Sequence, residues 1–140
     1  MFASLARLSF LAIVLAAGCT NARPVFNVSG TVTFDGQPVP AGIIYFNPDF
    51  SQGNDGPQGV ADIKDGKFDT SKGGRGHCGG AMVVRIEGFD GKSPDPKSVG
   101  KPLFVAFELN RDLPRQNSSQ DFEVPASAAQ GLTPSSNPPP

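Results

Sequence analysis

The stretch "GGRGHCGGAMVVRIEGF", residues 73–89, decides the fold. Its first half sets Gly74, Gly76 and Gly79 at the GxGxxG spacing of a dinucleotide-binding loop, and holds His77, the only histidine, beside Cys78. A phosphate-cradling loop of that kind sits between a strand and a helix whose N-terminus faces the anion. The residues after this loop have the wrong period. Met82, Val84 and Ile86 alternate with Val83, Arg85 and Glu87, so the two charges mark the wet face of a half-buried strand. The glycines are therefore read as a wide loop between strands, taking positive φ where other residues would strain.

Outward from this strand the same alternation recurs. Towards the N-terminus, "FNVSGTVTF" places Val28, Gly30, Val32 and Phe34 on one face, with Asn27, Ser29, Thr31 and Thr33 on the other. Asp35–Gly36 is a turn dipeptide, and Pro38 and Pro40 stop the strand. "IIYFNP" (43–48) is the next strand, "DFSQGNDGPQG" (49–59) a loop, and "VADIKDGKFDT" (60–70) a hairpin turning at Asp65–Gly66. Towards the C-terminus, "DGKSPDPKSVGKP" (90–102) is a polar loop, "LFVAFEL" (103–109) a strand, "NRDLPRQNSS" (110–119) a polar turn and "QDFEV" (120–124) the last strand. Residues 126–140 offer little to bury and read as a disordered Pro/Ser-rich tail. Seven short strands with no helical period beyond the N-terminal stretch predict an all-β, antiparallel β-sandwich over residues 26–125.

Composition narrows the function classes. A chain of 140 residues has room for one such domain, and 11 phenylalanines without tryptophan supply a modest core. A formal net charge of −1 with only 18% charged residues leaves no electrostatic footprint for nucleic acid.

The N-terminus, "MFASLARLSFLAIVLAAGC", sets Arg7 before an uncharged apolar run from Leu8 to Gly18. That run falls well short of the roughly 20 residues a membrane-spanning helix needs, and fits the apolar core of a secretory signal. Its end, Ala16-Ala17-Gly18-Cys19, resembles the lipobox of bacterial lipoprotein precursors, although the usual Leu three places before the cysteine is Ala16 here. The resemblance implies that residues 1–18 are a lipoprotein signal peptide and that Cys19 carries the lipid, palmitate included. It also implies a protein anchored in the bacterial cell envelope and facing the periplasm. Cleavage by an ordinary signal peptidase, leaving Cys19 a plain thiol, is the alternative. Residues 19–25 form a tether reaching only about 20 Å. With Cys19 acylated, Cys78 has no partner in the chain for a disulfide.

The segments "VSGTVTFDGQPVPAGIIYFNP", "GVADIKDGKFDT", "GGAMVVRIEGFDG" and "DFEVP" run in an order similar to that of small bacterial lipoproteins with a transthyretin-like, or carboxypeptidase regulatory-like, domain. The resemblance covers about residues 26–125 and implies a seven-stranded Greek-key β-sandwich. That fold has an enzymatic branch, the hydroxyisourate hydrolases, which use several histidines and a C-terminal Tyr-Arg-Gly-Ser motif. One histidine and a terminus of "SSNPPP" do not fit that branch. The related Cna B-type adhesin domains carry an isopeptide-forming lysine on the first strand, and "FNVSGTVTF" has none.

Candidate chemistry is thin. Zinc takes four ligands, and neighbours on an extended chain such as His77 and Cys78 point to opposite sides. The aspartates at 49, 55 and 62, or 90 and 95, match no EF-hand spacing. No metal and no cofactor is expected. The leading expectation is a non-enzymatic, lipid-anchored structural or interaction module with an envelope protein or glycan as partner. The alternative is a carbohydrate- or peptide-binding protein using loops 50–58 and 73–80 at one end of the sandwich, with Phe50, Asp55, Arg75, His77 and Cys78 as the candidate ligand residues. An enzyme would need His77 within hydrogen-bond reach of a nucleophile or a carboxylate.

Overall fold

Asp-Gly pairs punctuate the chain as the sequence predicts. Asp35 and Gly36 have φ of 49° and 75°, Asp65 and Gly66 of 50° and 75°. Two successive positive φ values define the type I′ turn, whose twist matches that of the strands it joins, and glycine takes its second position without strain. The structure, a computed structural model, describes residues 22–132, and the apolar N-terminal stretch with Cys19 lies outside the described residues, as do residues 133–140.

The described residues form nine strands: β1 Val28–Phe34, β2 Gln37–Pro38, β3 Ala41–Pro48, β4 Gly59–Lys64, β5 Lys67–Asp69, β6 Gly80–Phe89, β7 Phe107–Leu113, β8 Ser118–Ser119 and β9 Phe122–Val124. Their order is β2-β1-β5-β4-β3-β6-β7, antiparallel throughout, with β8 and β9 running parallel to β1. β3 is the central strand, paired over its whole length with β6 and over most of it with β4. Its residues alternate between buried and half-buried positions, as period two requires.

The sheet is curled around one core. Val28, Val32, Ile44, Phe46, Ile63, Phe68, Met82, Val84, Ile86, Phe122 and Val124 are all buried in it. Phe46 of β3 meets Phe68 at 6.0 Å and Phe122 of β9 at 6.2 Å between ring centroids, so strands far apart in the order touch across the interior. At the edges, the Arg111 guanidinium of β7 stands 5.4 Å over the Phe122 ring of β9, within cation–π range. Burying one such phenylalanine contributes about 1.5–3 kcal/mol.

Three segments differ from the sequence reading. The strand expected at 103–109 lies at Phe107–Leu113 instead. β7 pairs only with β6, and an edge strand with a wet face accepts Asn110, Arg111 and Asp112 where a central one would not. Phe104 reaches the core from an irregular stretch, its backbone neighbour Leu103 donating to the Gly88 carbonyl at 2.9 Å. The stretch 110–119, read as a turn, therefore supplies half a strand and also β8. Finally, Ala126–Leu132, read as the start of the tail, forms 3₁₀ turns that lay Ala128 against the core and bring its carbonyl to the Val105 N–H.

Candidate functional site

Register fixes which loops share an end. β1 begins where Phe26 and His77 exchange both backbone hydrogen bonds, at 2.8 and 2.9 Å, and Val60, at the start of β4, does the same with Arg75. The loops 49–58 and 73–79 thus gather at the end where the chain enters the domain, the entry end. The two Asp-Gly turns, the 90–106 loop and the last 3₁₀ turns gather at the other, the turn end.

Glycines make the entry end possible. A Cβ on Gly76 would lie 2.5 Å from the Phe26 carbonyl oxygen, so only glycine lets these two backbones approach. Directly after this loop comes β6, with no helix, so the GxGxxG spacing serves backbone packing here.

Of the five candidate ligand residues, the structure brings four to the entry surface and withdraws one. Phe50 heads a 3₁₀ turn, Phe50–Gln52, and is 74% exposed. The turn is fixed from beneath. Asp49 Oδ1 accepts from the Ser51 N–H at 2.9 Å and hydroxyl at 2.6 Å, and the Asp49 N–H donates to the Ala81 carbonyl at 3.0 Å. Asp55 pairs with Arg23, Nη1 to Oδ1 and Nη2 to Oδ2, the latter at 3.2 Å. The Arg23 guanidinium, chiefly by this hydrogen bond, holds the Asp55 carboxyl below its usual range. Both groups are exposed, so salt screens the pair. Arg75 Nε donates to the Gln58 carbonyl at 2.6 Å, tying the two loops together.

Cys78 is half-buried. Its Sγ donates to Asn54 Oδ1 at 3.4 Å, while Asn54 Nδ2 donates to the carbonyls of Gly79 at 2.9 Å and Ala81 at 2.7 Å. Asn54 therefore acts as a three-way strut between the loops. A cleft of about 380 Å³ lies beside it, lined by Arg23, Asn54, Asp55, Gly56, Cys78 and Arg115 among others. Asn54 and Arg115 escape a sequence reading because neither carries a recognisable motif. Asn54 gains its role from holding the Gly79 carbonyl 25 residues away, and Arg115 from lying against Gly79.

His77 is the residue withdrawn. Its side chain is completely buried, between the rings of Phe26 and Phe46, each 6.1 Å away. Nδ1 accepts the Gly79 N–H at 3.0 Å, which places the ring proton of the neutral imidazole on Nε2. That Nε2 has no hydrogen-bond partner among the described residues. Burial pushes the His77 pKa down, since the charged form would lose its hydration. With no carboxylate or nucleophile among the described residues bonded to the imidazole, the geometry is that of a neutral core residue closing the loop.

Elsewhere, an open groove of about 540 Å³ crosses the wet face of β1, β4 and β5 between Lys64, Lys67, Lys72 and Asp62, Asp69, Asp121. It is larger than the entry cleft, but two of its carboxylates are already committed. Asp69 accepts from Ser71, and Asp121 from the Thr31 N–H and hydroxyl. The turn end carries an apolar groove of about 300 Å³ along Gly88, Phe89, Phe104, Val105 and Leu132. Among the described residues no three His, Cys, Asp or Glu side chains converge as a metal site, and no helix is long and apolar enough to cross a membrane. Compared with known proteins, the chain matches no family model, no curated protein and no solved structure.

Proposed function

We propose that this chain is a bacterial envelope lipoprotein, held to the membrane by lipid on Cys19, whose domain is a non-enzymatic structural or interaction module. The observation that carries the reading is the sequence Leu15-Ala16-Ala17-Gly18-Cys19 closing an apolar run that is too short to span a bilayer. In the same reading, the curled antiparallel sheet is a Greek-key sandwich of the transthyretin-like type. The interrupted strand β8–β9 supplies one lane beside β1, and β7 closes the other side.

Lipidation accounts for the anchorage by itself. One acyl chain holds a protein only marginally, at about 0.8 kcal/mol per buried methylene, whereas two or three hold it firmly without a spanning helix. Phase partitioning of the full chain expressed in a bacterial host tests this. The wild type is expected in the detergent phase and Cys19→Ala in the aqueous phase. Equal partitioning of the two would refute acylation.

A second reading, a binding protein for a glycan or peptide, is favoured by one specific feature. Phe50 stands exposed on the loop whose residues 52–56 line the entry cleft, and an exposed aromatic ring can serve as a stacking platform.

A further inference from the structure

Exposing a phenylalanine to water is unfavourable, and this chain spends a well-braced turn on doing so. The Phe50 loop is secured at Asp49 by four hydrogen bonds, closed by the Asn54 N–H on the Asp49 carbonyl at 3.1 Å, and strutted through the Asn54 side chain to Gly79 and Ala81. The ring is therefore presented on a fixed knob. Among the exposed large apolar residues one other, Val25, belongs to the entry segment itself, and Pro57 on the same loop is exposed as well.

The route of the chain says what this knob faces. Arg23 is fastened to Asp55, five residues beyond Phe50 on the same loop. From Cys19 to Arg23 is four residues, which span at most about 14 Å. An acyl group on Cys19 thus holds Arg23 within about 14 Å of its attachment point, and keeps the Phe50 loop on the side of the domain that faces the bilayer. Two arginines flank this end without an ion pair among the described residues: Arg75, and Arg115 at the cleft rim. Asp49 and Asp112 stand at the same end, so it carries both signs of charge and the contact rests on its apolar residues. The exposed apolar residues Val99, Val105 and Leu132 lie at the opposite end, where the tether cannot bring them to the same surface.

The geometry points to the entry end as a second, non-covalent membrane contact: the Phe50 ring, with Val25 beside the tether, seats in the interface of the bilayer that holds the Cys19 lipid. The ring would sit roughly 5–10 Å into the boundary between headgroups and acyl chains. This inference rests on the lipid anchor proposed above and adds an orientation, with the turn end directed away from the membrane.

The chain has no tryptophan, so Phe50→Trp installs a single fluorophore at an exposed site. Val99→Trp does the same at the turn end. Each full-length variant is purified from bacterial membranes, reconstituted into phosphatidylethanolamine–phosphatidylglycerol vesicles, floated on a gradient, and its emission measured with and without brominated acyl chains. The expected result is flotation of both, with the emission of Phe50→Trp shifted to the blue and quenched several-fold more strongly than that of Val99→Trp. Flotation with equal quenching in the two variants overturns the orientation and leaves the anchor standing. Failure to float overturns the anchor, and the orientation falls with it.

Discussion

The two ends of the domain are built by opposite means. At the turn end, the individual turns are local, although Val105 and Ala128 also meet there: Asp35–Gly36 and Asp65–Gly66 each close a turn between adjacent strands, and Asp90 caps its own loop by accepting the Lys92 N–H at 2.9 Å and the Lys101 N–H at 3.0 Å. At the entry end, structure is made of distant pieces. Phe26 pairs with His77, Val60 with Arg75, and Asn54 with Gly79 and Ala81, so three segments must arrive together. Local turns are tolerant because each fails alone. An assembled end fails as a unit, because one displaced backbone loosens all of its partners.

The same substitution at each end exposes that difference. Gly76→Ala would drive a Cβ to 2.5 Å from the Phe26 oxygen and 3.0 Å from its carbon, forcing backbone apart in a packed region. Overpacking of that kind costs about 3 kcal/mol. A Cβ on Gly36 meets nothing within 4 Å, so Gly36→Ala is opposed only by its positive φ, about 1 kcal/mol. Urea midpoints of the two variants measure the contrast. Equal losses would mean that the entry end is no more interdependent than a hairpin.

Acid separates the ends next. His77 is neutral and buried, with its folded pKa pushed below the ordinary 6.5 by burial. Protonation therefore favours the unfolded chain. The stability that His77 confers is complete above pH 6.5 and is lost as the pH falls from there to the depressed folded value, at a slope approaching about 1.4 kcal/mol per pH unit. Asp90 at the turn end behaves differently. Backbone N–H groups, that of Lys92 foremost, hold its carboxyl below 3.8, so what it contributes persists until the pH falls below that value. Urea midpoints at pH 7.5 and pH 5 are expected to drop for the wild type and to hold steady for His77→Gln, which keeps a polar group without the charge. A wild-type midpoint unchanged at pH 5 would show that the imidazole is not sealed in.

This contrast also explains which parts of the molecule are legible in the residues alone. The two Asp-Gly turns are legible because their information is local: an Asp-Gly pair between alternating strands is a hairpin wherever it occurs. β3 and β6 are legible because both are central or nearly so, and period two is cleanest where one face is fully buried. β7 is misplaced because an edge strand needs no apolar alternation, so Asn110, Arg111 and Asp112 read as a turn. The gathering of loops 50–58 and 73–80 at one end is expected from the sandwich pattern, but the inward turn of His77 is not. Nothing in "GGRGHCGG" distinguishes an imidazole that faces solvent from one that faces Phe46. That choice is made by Phe26, some fifty positions earlier in the chain.

The smallest expected effect on stability tests the comparison most sharply. Arg23 and Asp55 are both exposed, and an ion pair in that setting adds little to folding because water and salt compete for each charge. Asp55→Asn should leave the urea midpoint where it was. Yet the pair fixes the point at which the tether meets the domain. Without it the first backbone anchor is Phe26, seven residues from Cys19 instead of four, and the leash lengthens from about 14 Å to about 24 Å. A domain on the longer leash can turn its other faces to the bilayer. In the vesicle experiment, the difference in quenching between Phe50→Trp and Val99→Trp should therefore narrow when each is combined with Asp55→Asn. If it does not narrow, the aromatic knob at position 50 holds the orientation unaided, and the ion pair at the entry end is only a surface contact.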